Sequence, residues 1–250
     1  MVDPATDYRD RIYGQYASLF QDAAPTFDAA AADQWGRAYD YHLRGWLPER
    51  KDAAIADLAC GGGKLLHFLT QRGYTNVSGV DISPQQVQLA RQVMPQVTQA
   101  SLFEFLDTHQ AAFDLLIGLD VIEHFHKSEV VRFLDACLTA LRPGARLILQ
   151  TPNAESPWGT HLRYDDFTHE IAFAPNPLTR LLIMCGATQV VCRELAPVKH
   201  GYSAASTFRW LLWQGLRGAL KLYNVIETGS IGSGVYTRVF LVACVRKPSA

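Results

Sequence analysis

The sequence has little charge and no excess of either sign. Charged residues make up 19% of the 250 positions, and 23 Lys and Arg stand against 24 Asp and Glu. Such a balance supplies no field to hold a polyanion, which excludes a role resting on non-specific nucleic-acid binding. Long apolar runs are missing too. The longest stretches free of Asp, Glu, Lys and Arg are 12 residues, Gln92 to Phe103 and Leu181 to Cys192, short of the ~20 apolar residues of a spanning helix. Cysteine is scarce and scattered: Cys60, Cys137, Cys185, Cys192 and Cys244 never fall at Cys-x-x-Cys spacing, which argues against a disulfide framework or a zinc knuckle. The first 30 residues carry charges throughout and no apolar leader segment, so the expected location is cytoplasmic, at most peripheral to a membrane.

What remains is a chain with 48% hydrophobic residues, enough to build one large core. Residues 1–50 read as a helical N-terminal lid, with Tyr13, Tyr16, Phe20 and then Trp35, Tyr39, His42, Leu43 and Trp46 at helical spacings until Leu47-Pro48. Residues 51–200 then alternate short apolar runs with helical segments. Ala53 to Leu58, Val77 to Val80, Phe113 to Ile117, Arg146 to Gln150 and Gln189 to Arg193 read as strands. Lys64 to Arg72, Pro84 to Met94, Ser128 to Leu141 and Pro177 to Cys185 read as helices. This alternation implies right-handed crossovers and a doubly wound α/β sheet, mostly parallel and covered on both faces. Residues 201–234 hold an inserted amphipathic helix, Ala204 to Ile226, and residues 235–250 a last strand, Tyr236 to Val245.

The first strand runs into Asp57-Leu58-Ala59-Cys60-Gly61-Gly62-Gly63 with a helix directly after it. Consecutive glycines let the backbone turn sharply and approach a ligand, and the helix start offers unpaired N–H groups. Asp81 ends the second strand, placed to accept both hydroxyls of a ribose. A dinucleotide turn would need a third glycine where Leu66 stands, so a dehydrogenase is disfavoured. With Asp57 ahead of the turn and Lys64 the single basic residue nearby, the site suits a cofactor with a cationic portion and no phosphates.

These segments resemble the class I S-adenosylmethionine-dependent methyltransferases. Asp57 to Gly63 is similar to their first motif and Gly79 to Ser83 to the acidic end of their second strand. Phe113-Asp114, Leu119 to His124 and Leu141-Arg142-Pro143-Gly144 are similar to the branch containing ubiquinone-type and polysaccharide-cluster enzymes. The resemblance covers roughly residues 51–195 and implies a seven-stranded sheet. It also implies S-adenosylmethionine bound by Asp57, Ala59, Cys60, Gly61, Gly63, Asp81, Ile82, Ser101, Leu102, Leu119 and Asp120. Ala59 replaces a usual glycine, and Ser101 stands where an acidic residue often contacts the adenine. Tyr13, Tyr16 and Arg37 of the lid are placed to reach the cofactor carboxylate or to pack as an aromatic helix pair.

An acceptor loop over residues 151–175 concentrates polar groups after the fifth strand. His161, Arg163, Tyr164, Asp165, Thr168 and Glu170 are expected to bind the acceptor, a small molecule or a glycan. His169 is the expected base, oriented by Asp166 or Glu170, with His124 its competitor. The spacing of His161, Asp165, Asp166 and His169 matches no standard ligand motif, so no metal is expected. The activity this predicts is methylation of a hydroxyl, foremost on a sugar of a glycan or glycolipid. The alternatives are a quinone precursor or secondary metabolite as O- or N-acceptor, or a non-catalytic cofactor-binding module. The inserted helix suggests a homodimer or membrane contact.

Overall fold

The computed structural model describes residues 8–21 and 24–248; residues 1–7 of the expected lid and 249–250 of the expected last segment lie outside them. Seven strands form one sheet: β1 (Ile55–Leu58), β2 (Val77–Asp81), β3 (Thr98–Gln99), β4 (Phe113–Leu119), β5 (Leu141–Pro152), β6 (Ala187–Glu194) and β7 (Val239–Arg246). Their order is β3-β2-β1-β4-β5-β7-β6, and β7 alone runs antiparallel to its neighbours β5 and β6. Among the described residues no helix is long and apolar enough to cross a membrane.

Alternation along the central strands splits the core in two. Leu58, Leu116 and Leu149 point to one face with Phe133 and Leu134. Ile55, Leu115, Ile117 and Ile148 point to the other with Leu43, Phe68 and Leu69. The helices follow from this: α4 (Lys64–Gln71), α5 (Pro84–Ala90), α6 (Leu102–Asp107), α7 (Lys127–Ala140), α8 (Gly159–Asp165) and α9 (Pro175–Met184) link the strands, and α10 (Ala204–Thr228) is inserted before β7. Both sheet faces are buried, so the strands read as continuous apolar runs and not as alternating ones.

Ahead of β1 stand α1 (Tyr8–Tyr13), α2 (Tyr16–Leu19) and α3 (Ala29–His42). The helix expected to run to Leu47-Pro48 stops at His42. Gly45 takes a left-handed φ of 74°, which leaves the helical region, and Leu43 and Trp46 are buried from the loop instead. The last strand begins at Val239 and not at Tyr236, whose N–H donates to Glu194 Oε1 at 2.8 Å and whose hydroxyl donates to the Ile231 carbonyl at 2.5 Å. Composition gave no hint of β3, two exposed residues, nor of α8.

The start of α8 depends on one glycine. A Cβ added at Gly159 would lie 2.0 Å from the Asn153 carbonyl oxygen, and Asn153 is itself fixed by donating to the Val235 and Thr237 carbonyls at 3.0 and 2.9 Å. Gly159→Ala should therefore destabilise the protein by about 1–3 kcal/mol, the cost of overpacking. Thermal unfolding checks it, and an unchanged midpoint would show that the 153–159 turn yields freely.

Candidate active site

The order of the strands reverses between β1 and β4, and a cavity of about 890 Å³ opens there at their carboxyl ends. At its floor the β1–α4 turn needs three left-handed residues, Ala59 (φ 56°), Gly61 (φ 52°) and Gly63 (φ 90°). Alanine at the first of them costs about 1–2 kcal/mol of backbone strain. Gly63 caps α4 and packs against Ala90, so its part is to turn the chain, while Ala59, Cys60 and Gly61 face the cavity. Asp81 is held by the turn itself: its carboxylate accepts the Gly61 and Ser83 N–H groups, both at 2.8 Å. Burial still pushes this carboxyl above its ordinary range.

Two buried polar atoms on the cavity wall, Asp57 Oδ2 and Ser83 Oγ, have no partner among the described residues. Burial first, and then the Asp81 charge, drives the Asp57 carboxyl well above the usual carboxylate range. A buried acceptor without a donor costs about 1–3 kcal/mol, so this end of the cavity is built for a ligand that brings hydrogen-bond donors or positive charge. Ile82, Leu102, Leu119 and Asp120 line it as well. Ser101 reaches the wall, but its hydroxyl accepts the Glu104 N–H at 3.2 Å in a capping box that starts α6. Arg37 lies outside the cavity, with its guanidinium 5.5 Å from the centre of the Tyr202 ring. Its place on α3 turns it to solvent, and Trp35 and Tyr39 face the cavity instead.

At the other end stand two histidines whose rings are 4.8 Å apart. His169 Nδ1 bonds the Leu162 carbonyl at 2.7 Å. As a carbonyl only accepts, Nδ1 carries the hydrogen and Nε2 is left with its lone pair. Asp166 and Glu170, its expected orienters, do something else. Asp166 Oδ1 accepts the Thr168 N–H and hydroxyl at 2.8 and 2.7 Å, and Oδ2 accepts the Tyr16 hydroxyl. Burial alone would raise the Asp166 carboxyl, but these bonds outweigh it and hold it low. Glu170 accepts the Tyr8 hydroxyl and pairs with His126 Nδ1 at 3.3 Å. Orientation of His169 comes from backbone: Arg163 donates to the His169 carbonyl and, at 2.7 Å, to that of Glu170.

His124 is half-buried and held neutral. Its Nδ1 lies 2.8 Å from Thr168 Oγ1, and burial, reinforced by His169, lowers it to about 4. Of the six expected acceptor residues, none lines the cavity. Thr168 is fully buried in the Asp166 network, Arg163 and Glu170 brace the loop, and His161 and Asp165 form an exposed pair at 3.7 Å. Tyr164 is 75% exposed. His161, Asp165, Asp166 and His169 were not expected to hold a metal; among the described residues a different set, Glu123, His124 and His169, each offer a ligand atom within 4.8 Å of the others and could hold a cation.

Sequence reasoning missed several wall residues. Arg9 of α1 lines the cavity and pairs with Glu129 at 2.8 Å. The Tyr39 hydroxyl donates to Gln150 Oε1 at 2.6 Å, and Gln150 Nε2 donates to Asp120 Oδ2 at 2.7 Å. Partners 111, 30 and 120 positions apart in the chain leave no local pattern to read. Of the aromatic walls, Tyr13 and Tyr16, 5.6 Å apart, were expected at the cofactor or as an aromatic pair, whereas Phe103 and Phe125, 5.4 Å apart, gave no sign of being neighbours.

Residues 55–144 match the family described as a methyltransferase domain. The chain is 30% identical over 174 residues to the ubiquinone biosynthesis O-methyltransferase of Alkalilimnicola ehrlichii, covering 61% of this chain and 66% of that protein. It is 29% identical over 145 residues to the enzyme of the same name from Pseudomonas aeruginosa, covering 51% and 61%. The chain thus spans just under two thirds or less of the length of these relatives. In fold it is similar to a SAM-dependent methyltransferase from Archaeoglobus fulgidus, with a TM-score of 0.63 at 15% identity over 94% of this chain and 99% of that one. It is also similar to Haemonchus contortus phosphoethanolamine N-methyltransferase 2, with a TM-score of 0.62 at 13% identity over 95% and 60%. A glycine turn under an orphaned acid, an acidic end to β2, a sheet whose seventh strand is reversed, a methyltransferase domain over residues 55–144 and these likenesses together support a class I S-adenosylmethionine-dependent methyltransferase.

Proposed function

We propose that the protein binds S-adenosylmethionine and methylates a hydroxyl on a small planar aromatic acceptor, of the quinone-precursor kind. The observation that carries this is the two-ended cavity, with an acidic end that lacks donors and a histidine end walled by Tyr13, Tyr16, Phe103 and Phe125. The acidic end fits the cofactor. Asp81 keeps lone pairs for two adjacent hydroxyls, and the Asp57 carboxylate would answer a cationic amine.

The bound cofactor supplies a methyl group on a sulfonium, and its transfer to oxygen needs an aligned nucleophile and a place for the hydroxyl proton. This chain provides both. Flat rings at the histidine end would hold an aromatic acceptor by stacking and edge contacts, and His169 Nε2, its other nitrogen tied to Leu162, is the free lone pair on that wall. Closure of α1 and α2 over the site, through Tyr16 to Asp166, Tyr8 to Glu170 and Arg9 to Glu129, would exclude water during transfer. The names of the relatives support an oxygen acceptor in ubiquinone biosynthesis. A sugar acceptor has less support, because the polar side chains expected to hold it turn to solvent or into the loop.

Methyl incorporation from labelled S-adenosylmethionine into a panel of catechols and substituted phenols, beside sugar nucleotides and glycolipids, tests this. Turnover on phenols is expected. Turnover on sugars alone would overturn the aromatic reading, and cofactor binding with no turnover on any acceptor would favour a non-catalytic module. Asp81→Ala should weaken cofactor binding by about 1.5–3 kcal/mol, the worth of hydrogen bonds to a charged group. Calorimetry on a folded variant with unchanged affinity would place the nucleoside elsewhere.

A further inference from the structure

The inserted helix α10 is amphipathic the wrong way round for a helix of a free monomer. Its polar face is turned to the domain. Ser206 Oγ donates to the Val198 carbonyl at 2.9 Å and Thr207 Oγ1 to the Lys199 carbonyl at 2.7 Å. Arg217 pairs with Glu194 at 3.0 Å and donates to the Gly234 carbonyl at 3.2 Å. The opposite face carries Phe208, Leu211, Leu212, Leu222, Tyr223 and Ile226 outward, all between 58% and 76% exposed. At 3.6 residues per turn these six share one charge-free arc, with Leu216 at its edge. The helix is 25 residues long, about 37 Å. Large side chains more than half exposed along that length amount to on the order of 800 Å² of apolar surface. That exceeds the usual largest patch of a monomer and equals one side of a standard protein interface.

The pattern along the arc identifies what covers it. We infer that two copies of this chain associate through α10, packed antiparallel about a two-fold axis near Arg217. A two-fold pair requires a self-complementary face, and this one is. Inverting the helix about its midpoint sets Phe208 against Ile226 of the second copy, Leu211 against Tyr223, and Leu212 against Leu222. At the crossing, where the backbones come closest, it sets Gly215 against Ala219, small against small, and nothing lies within 4 Å of a Cβ added at Gly215. The arc's edge adds charge complementarity. Arg209 and Glu227 stand 18 residues apart, five turns, on the same side of the helix. Antiparallel packing brings each within about a half turn of the other copy's opposite charge. A bilayer surface is less well matched. Interfacial helices display Lys and Arg beside the apolar face, whereas here Arg217 is turned inward, Lys221 is half-buried, and Arg209 is balanced by Glu227.

Sedimentation velocity on the full chain over a range of concentrations tests this without any need for the methyl acceptor. Wild type should be a dimer. Leu212→Glu, which buries an unpaired carboxylate in the seam, and Ala219→Trp, which fills the crossing, should each raise the dissociation constant about 100-fold or more. Circular dichroism and cofactor affinity should stay unchanged, since both positions face solvent in the protomer. Arg209→Glu should weaken the dimer, and Arg209→Glu with Glu227→Arg should restore it. A wild-type monomer at every concentration, or a dimer that survives both Leu212→Glu and Ala219→Trp, would overturn the inference. So would a monomer that sediments with phosphatidylcholine and phosphatidylglycerol vesicles and loses them on Leu212→Glu, an outcome that would give the face to a membrane.

Discussion

His169→Ala should lower the rate of methyl transfer by roughly 10²- to 10⁴-fold, the usual worth of a positioned general base, while cofactor affinity stays near wild type. The two readouts separate because His169 stands at the aromatic end, away from Asp57 and Asp81. A hydroxyl acceptor must lose its proton as the bond to carbon forms, and Nε2 is the ring nitrogen left free by the Leu162 carbonyl. His124 is the rival, and it has a signature of its own. Burial lowers His124 to about 4, so a base at His124 would keep its lone pair, and the enzyme its rate, down to about that pH. An acid limb near pH 4, with His124→Ala inactive and His169→Ala active, would reverse the assignment. Loss of turnover on chelation, restored by a divalent cation, would instead assign Glu123, His124 and His169 to ligation.

How far the site could be read before the fold was known depended on how local each contact is. The β1–α4 turn and Asp81 were legible because their chemistry is written in short segments: a glycine turn needs glycine, and an acid at a strand end needs no distant partner. The sheet was legible because strands buried on both faces are apolar throughout. His169 was legible as a residue but not its support, since the expected carboxylates bind Tyr16, Thr168, Tyr8 and His126, and a backbone carbonyl does the orienting. Polarity in the 161–170 segment did not show which side chains reach the cavity, and none of the six expected to touch the acceptor stands on its wall. Those side chains satisfy the loop's own backbone and latch α1 and α2, and the cavity wall beside the two histidines is aromatic. Arg37 failed for a simpler reason: helical spacing shows which residues share a face, but not which face meets the cavity.

Gly61→Val should abolish detectable cofactor binding while the sheet survives. Gly61 sits at φ 52°, in the left-handed region that a β-branched residue enters only with strain. Its N–H donates to Asp81 Oδ2 at 2.8 Å, so any shift of the backbone to relieve that strain moves the carboxylate as well. Among the described residues, a Cβ placed there meets Gln86 Oε1 alone, at 3.9 Å. The added methyls would thus project into the cavity, and the protein fold has room for them where a ligand does not. Gly61→Ala separates the two effects, since it carries the backbone cost of about 1–2 kcal/mol with one carbon in the cavity and should bind weakly but measurably. Calorimetry with S-adenosylmethionine, beside circular dichroism and thermal unfolding, reads all three proteins. If the valine variant is folded and binds as wild type does, the turn is a structural corner and the cofactor does not lie against Gly61.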